Sequence, residues 1–510
     1  MLARCCSASL QGLEAHPVTV EVDLAPGLPG IQLVGLPDKA IQESRERVRS
    51  ALRNSGFRGP LVRVIINLAP ADLRKEGPAF DLPIALALLV ASGQLDRPRL
   101  EGLWCAGELG LDGSLRPCRG MLAVAELAAR CGASALVVPP DNADEAALID
   151  GLVVRTATDL RQLVEQLTGQ RPCLRVCRTR PPAPEPTAEP TVEPGQAGRA
   201  LALAAAGGHH LLLVGPPGCG KSRLAHQLPR LLPPLNAKEA LTIARIQSVA
   251  GELRHPLQPI RQRPFRAPHH SCSAAALLGG GHQPRPGELS LAHGGVLFLD
   301  ELAEFPRAVL DQLRQPLEEG EFRLSRARLK ARFPAAITLV AATNPCPCGW
   351  HGDRTHGCRC SRTQRQRYWQ RLSGPLLDRL DLQLRLERRP AGAIRRCLDE
   401  SVDTPQEPWL KPSTISAARD RMARRNPGGV CNRDLPAQQL GEIGRFSPTA
   451  LKRWEQLVKH RGLSTRSSIR LLRVARTVAD LNDCDQVTEV AIAEAAGFRC
   501  SDLLRLETAP

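Results

Sequence analysis

Gly215-Pro216-Pro217-Gly218-Cys219-Gly220-Lys221-Ser222 stands between the apolar run Leu211-Leu212-Leu213-Val214 and the segment Arg223-Leu224-Ala225. The run has the length of a buried parallel strand, and the segment reads as a helix start. Strand, glycine-rich loop closing on Gly-Lys-Ser, and helix together make a phosphate-binding P-loop. Its glycines let backbone N–H groups turn inward and wrap a phosphate at the positive end of the helix. Lys221 is placed to reach the outer phosphates of ATP, and the Ser222 hydroxyl to hold Mg²⁺. The expected core is therefore α/β, a parallel sheet with flanking helices.

The neighbouring stretches extend the same site. Upstream, Gln196 to His210 reads as a helix ended by glycine that leads into the P-loop strand. Downstream, Gly294-Gly295-Val296-Leu297-Phe298-Leu299-Asp300-Glu301 is a second buried strand with two carboxylates at its carboxyl end, where open α/β sheets bind ligands. In this Walker B pattern Asp300 holds Mg²⁺, directly or through water, and Glu301 orients and polarises the attacking water. Ala336 to Asn344 forms the next strand. Read by itself, Asn344 at the end of this strand turns the chain before Pro345.

A chain of 510 residues is too long for one core and suggests roughly two to four domains. No stretch is long and apolar enough to span a bilayer, and Met1 to Cys6 begins no signal sequence. Seventeen cysteines in an unexported chain read as reduced thiols or metal ligands, so a cytoplasmic location is expected. The net charge of +16 suits a polyanionic partner, although arginine-rich composition also follows from a GC-rich genome. Aromatic residues are only 3%, which argues against a base-stacking platform and toward contacts with phosphates.

Within a first domain expected at 1–169, the pattern from His16 to about Gly169 mixes strands and helices. Pro17 to Val22 and Ile31 to Val34 alternate as strands, Lys39 to Asn54 is an amphipathic helix, and Leu61 to Leu68 is a strand. Pro83 to Val90 is apolar on every side and reads as a buried helix. Leu136 to Pro139 and Leu152 to Val154 are further strands. The stretches Gly35-Leu36-Pro37-Asp38, Ile66-Asn67-Leu68-Ala69-Pro70, Lys75-Glu76-Gly77-Pro78-Ala79 and Gly107-Glu108-Leu109 resemble the Lon-protease-like domain at the N-terminus of the ComM/YifB family of magnesium-chelatase-like proteins. Proteases of that type use a serine nucleophile and a lysine base. By the resemblance, Ala79 stands at the serine position and the lysine position falls near Leu122. Alanine offers no nucleophile and leucine no base, so an α+β scaffold or binding domain is expected. Lys75 lies outside the dyad by the same match. A proline-rich linker, within 170–195 and densest over 181–194, cannot continue a helix or ladder and separates this domain from the core at 196–390.

Within the core, Gly374-Pro375-Leu376-Leu377-Asp378-Arg379-Leu380-Asp381 resembles the segment that carries an arginine finger in the MCM and magnesium-chelatase group of AAA+ ATPases. The resemblance implies that Arg379 serves the neighbouring subunit's ATP site and that Asn344 is the sensor 1 residue. A surface arginine paired with Asp378 or Asp381 is the other reading. Residues 391–510 look like the helical lid, with helices at Pro448–His460, Ser467–Asn482 and Thr488–Ala496. Ser464-Thr465-Arg466 resembles the sensor 2 site, which implies Arg466, with Arg470 and Arg473 on the same helix. Arg261 to Gly287, containing Arg263-Pro264-Phe265-Arg266-Ala267-Pro268-His269-His270, matches the helix-2 insert of this group. Glu319 to Arg332 alternates charged and apolar residues with a period of two and resembles the pre-sensor 1 hairpin, which points toward the pore of a ring. Arg326, Arg328, Lys330 and Arg332 then lie on one face and either track DNA phosphates or form a solvated basic face.

Cys346-Pro347-Cys348 and Cys358-Arg359-Cys360 bracket a glycine-rich turn in an insertion at 346–360. Four thiolates suit tetrahedral Zn²⁺, with His351 and His356 as substitutes, and reduced thiols packing as small hydrophobes are the alternative. The string from Asn344 to Gly349 is characteristic of the ComM/YifB family. The resemblance covers nearly the whole chain and implies a homo-hexameric ATPase acting on single-stranded or branched DNA, with helicase and branch-migration activity in natural transformation and recombination. A chelatase-type motor acting on a protein partner, a Lon-like protease and a non-motor scaffold are the rival readings.

Overall fold

The computed structural model describes residues 2–176, 195–253, 262–280, 284–326, 329–388 and 410–499. The linker expected at 181–194 lies outside them. Residues 2–176 are built on β1 (Ala3–Gln11), β2 (Glu14–Ala25), β3 (Gly30–Val34), β4 (Arg63–Ala69), β5 (Leu103–Cys105), β6 (Ala135–Val138), β7 (Val154–Thr156) and β8 (Leu174–Val176). They form one sheet in the order β8-β7-β6-β5-β1-β2-β4-β3. Alternation along β2 buries Val18, Val20 and Val22 in the same apolar cluster as the helix Asp81–Ala91. Every residue of that helix is buried, as its apolar stretch from Leu82 onward requires, and Asp81 at its start is buried against Arg47 at 2.7 Å.

β1 was not expected from the sequence, yet it is central. It pairs antiparallel with β2 from Ala3↔Val22 to Gln11↔Glu14, and parallel with β5 at Cys6↔Trp104. Its Ala, Cys and Ser residues lack the β-branched bulk that marks a strand, and two flanking partners make it one. The tip between β1 and β2 reaches the second half of the chain, where Leu13 packs in a cluster with Leu212 and Phe333. Gly120 N–H donates to Ser248 O at 3.1 Å, and Arg245 pairs with Glu126 at 2.7 Å.

The second sheet consists of β9 (Leu211–Val214), β10 (Phe265–Arg266), β11 (Val296–Leu299), β14 (Thr338–Thr343) and β15 (Leu382–Arg385). Between β11 and β14 in sequence, β12 (Glu321–Arg326) and β13 (Leu329–Pro334) make a separate antiparallel hairpin. The sheet order is β10-β11-β14-β9-β15, and every pairing is parallel. β14 therefore lies between the two Walker strands, so the P-loop, Asp300 and Asn344 leave the sheet at one edge. Leu211, Leu213, Val296 and Phe298 face the helix Gln196–Gly207 and the helices beyond 410; Leu212, Val214, Leu297 and Leu299 face the other way.

The helix expected to run to His210 ends at Gly207, with Gly208 at φ 72°. His209 and His210 are instead buried links to the rest of the core. His209 Nδ1 lies 3.0 Å from Asp381 Oδ2, and its Nε2 lies 2.8 Å from Thr477 Oγ1. Burial alone would raise Asp381, but His209 and Arg470 hold its carboxyl well below the usual range. The helices Pro448–Arg461, Thr465–Leu481 and Glu489–Gly497 begin and end within two residues of the expected bounds. Ser464 caps the second, its hydroxyl accepting from Ser467 N–H at 3.2 Å.

Candidate active site

The P-loop conformation follows from its glycines. Gly218 and Gly220 hold φ of 76° and 91°, and a Cβ on Gly215 would lie 2.8 Å from Leu386 O. The loop ends on the helix Lys221–Leu231, whose first residue is the P-loop lysine. Lys221 Nζ donates to Gly215 O at 2.8 Å, Pro216 O at 3.0 Å and Asn344 Oδ1 at 3.1 Å. Burial lowers its pKa, against the pull of Asp300 and Glu301. Asn344 is thus joined to the P-loop rather than only turning the chain.

Ser222 Oγ donates to Asp300 Oδ2 at 2.9 Å, so residues far apart in sequence meet as a hydroxyl and a carboxylate. This pair of hard oxygen donors suits Mg²⁺, which keeps few protein ligands and takes the rest from phosphate and water. Glu301 follows at φ 51°, a left-handed conformation that is costly for a residue with a side chain. Its Oε2 lies 3.1 Å from His270 Nδ1, a contact the sequence reading missed. The cavity beside the loop has a volume of about 780 Å³, within the range of small-molecule sites. Arg354, Arg385 and Arg388 also line it and were missed. The signal for Arg385 and Arg388 was their place at the carboxyl end of β15.

The Cys-rich insertion forms one wall of this cavity. His351, Gly352 and Arg354 line it, and a Cβ on Gly349 would lie 2.8 Å from Pro217 Cδ. Arg385 Nη2 donates to Gly352 O at 3.1 Å. The ligand atoms of Cys346, Cys348, Cys358 and Cys360 all lie within 4.8 Å of one another. Cys346 Sγ is 3.4 Å from that of Cys348 and 3.7 Å from that of Cys358. Four sulfurs around tetrahedral Zn²⁺ stand about 3.8 Å apart, so the set fits the metal. His356 instead stacks on Trp350 at 4.3 Å, and among the described residues the group consists of the four cysteines.

Arg379 and Arg466 do not join the chain's own P-loop cavity. Both line another, of about 320 Å³, with Glu318, Asp381, Arg470 and Arg473. Arg379 pairs with neither Asp378 nor Asp381. Its guanidinium pairs with Glu318 at 2.6 Å and donates to Arg314 O at 3.1 Å and Pro375 O at 2.7 Å. Arg470 is engaged by Asp381 at 3.0 Å and Arg473 by Leu435 O at 2.6 Å, whereas Arg466 is exposed.

The hairpin requires a correction. β12 and β13 are antiparallel, so Arg326 stands opposite Leu329, Lys330 opposite Ser325 and Arg332 opposite Arg323. A single strand period across the whole stretch therefore fails, and Arg323 shares the register set of Lys330 and Arg332 while Arg326 does not. Arg332 is exposed and pairs with Glu321. Arg328 and the side chains of Arg326 and Lys330 lie outside the described residues.

At the position matched to the protease serine, Ala79 lines a cavity with Glu108, Cys118 and Met121, and no serine or lysine is among its described lining residues. Burial pushes the Cys118 thiol up to about 12, which leaves it protonated and a poor nucleophile. Lys75 is buried, with its ammonium donating to Pro70 O, and Leu122 is fully buried.

Three family models match in sequence: subunit ChlI of Mg-chelatase over residues 20–142, magnesium chelatase, subunit ChlI over 191–394, and the ChlI C-terminal model over 412–499. The chain is 43% identical to the YifB protein of Escherichia coli over 501 residues, 97% of this chain and 96% of that protein. It is 43% identical to the competence protein ComM of Haemophilus influenzae over 506 residues, 98% and 97% of the two chains. With the Walker residues assembled as described, these matches make the core a P-loop AAA+ ATPase module that uses ATP and Mg²⁺. The chain belongs to the ComM/YifB family of magnesium-chelatase-like proteins.

Proposed function

We propose that this ATPase is a cytoplasmic, homo-hexameric DNA motor, a helicase that promotes branch migration in natural transformation and homologous recombination. The observation that carries the motor reading is the separation of its parts. Ser222, Asp300 and Asn344 gather at the P-loop, while Arg379 and Arg466 line a different cavity. A ring in which Arg379 and Arg466 serve the neighbour's γ-phosphate accounts for that division. The DNA reading is supported by the net charge, by the basic hairpin and by the relative named a competence protein.

Lys330 and Arg332 are proposed as phosphate contacts, and the register adds Arg323 in place of Arg326. Replacing Arg323 and Arg332 by Ala is expected to weaken DNA binding regardless of sequence. Each lost contact should flatten the log–log salt slope by roughly 0.7–0.9. An unchanged slope, measured by fluorescence anisotropy across a salt series, would contradict these contacts. The descriptions of the matching family models favour the second reading, a chelatase-type motor on a protein partner. Stimulation of turnover by such a partner and not by DNA would select it.

We also propose that Cys346, Cys348, Cys358 and Cys360 hold one structural Zn²⁺ that fixes the wall of the nucleotide cavity. Elemental analysis of protein purified without chelator is expected to find about one zinc per chain. Its removal should weaken ATP binding, because the loop against Pro217 loses its pin. Metal-free protein with unchanged ATP affinity would contradict the link.

A further inference from the structure

We propose that His270 is a positioning residue for Glu301, linking the helix-2 insert to ATP hydrolysis. The inference rests on the reading of Glu301 as the residue that polarises the attacking water. β10 and β11 are parallel, with Arg266 paired to Leu297. His270 and Glu301 each lie four residues beyond that pair, so both chains leave the sheet at the nucleotide edge and their side chains meet.

Two ring contacts and an anchored strand make this more than proximity. The His269 ring centroid is 4.0 Å from that of His270, and Phe305 meets the His270 ring edge-on at 6.5 Å. The imidazole is therefore flanked on two sides before it meets the carboxylate. Arg266, just upstream, forks onto Glu288 with two bonds of 2.7 Å and donates to Glu252 at 2.9 Å. The strand that delivers His270 belongs to the insert and is fastened to both of its flanks, which holds the histidine at the nucleotide edge.

The chemistry follows from the partner's exposure. The Glu301 side chain is 57% exposed, so without a fixed donor its carboxylate samples several rotamers. At 3.1 Å the Nδ1 is near enough that an N–H there would hold one oxygen and leave the other to accept from water, the role a third group plays for a catalytic base. Misplacing a reacting group by about 1 Å costs on the order of 100-fold.

The test is steady-state ATP turnover and ATP affinity of the full chain. His270→Ala is expected to lower kcat on the order of 10- to 100-fold with ATP affinity unchanged. His270→Asn, which keeps a donor, should recover much of the rate. His270→Phe, which keeps the ring packing but has no donor, should not. Normal kcat in His270→Ala, or equal rates for Phe and Asn, would overturn the proposal. Should the Ala variant fail to fold, the contrast between Asn and Phe still decides. In a Glu301→Gln background, His270→Ala should bring no further loss. Parent-level turnover in Glu301→Gln alone would remove the underlying reading of Glu301, whereas a dead Glu301→Gln with a normal His270→Ala would remove only this one.

Discussion

Glu301→Gln is expected to bind ATP as tightly as the parent chain and to hydrolyse it about 100- to 10,000-fold more slowly. The amide keeps the shape of the carboxylate but cannot take a proton from water. The phosphate cradle is untouched, since Lys221, Ser222 and Asp300 make their contacts without the Glu301 side chain. Equilibrium binding of a fluorescent ATP analogue and single-turnover hydrolysis separate the two effects. Hydrolysis at the parent rate would contradict the assignment.

Arg379→Ala is expected to lower turnover about 10³- to 10⁵-fold, the range for removing an arginine finger. Arg379→Lys should be nearly as slow, because an ammonium cannot reproduce the planar fork. The guanidinium now holds Glu318, whose side chain is 44% exposed, so losing the pair leaves a carboxylate that water can solvate. Ring formation should therefore survive. Mixing Arg379→Ala with Glu301→Gln gives the sharper result. Each variant carries the residue the other lacks, so turnover should return where an intact Glu301 meets an intact Arg379 across a subunit boundary. A mixture as inactive as its components would contradict the shared site.

Local motifs were legible before the structure. The P-loop and Asp300-Glu301 are contiguous, and strand ends in a parallel sheet converge on one edge, so their meeting could be foreseen. Contacts set by register or by distant partners could not. The Ser325-Arg326-Ala327-Arg328-Leu329 stretch has no Gly or Pro to mark where the expected hairpin reverses, so a single period carries through the turn and puts Arg326 on the wrong face. Arg379 lies 61 positions after Glu318, and nothing local to either points to the other. His270 sat in a recognised insert, but its role depends on the parallel register of β10 and β11. β1 is hidden for a different reason, since its small residues become a central strand only through β2 and β5.

The most direct test of the DNA-motor reading is the rate of ATP hydrolysis measured without DNA and with single-stranded, duplex and branched DNA. The proposed function predicts turnover that rises with single-stranded or branched DNA and that Glu301→Gln abolishes in every arm. A rate indifferent to all three DNAs, or one raised only by a protein partner, would contradict it.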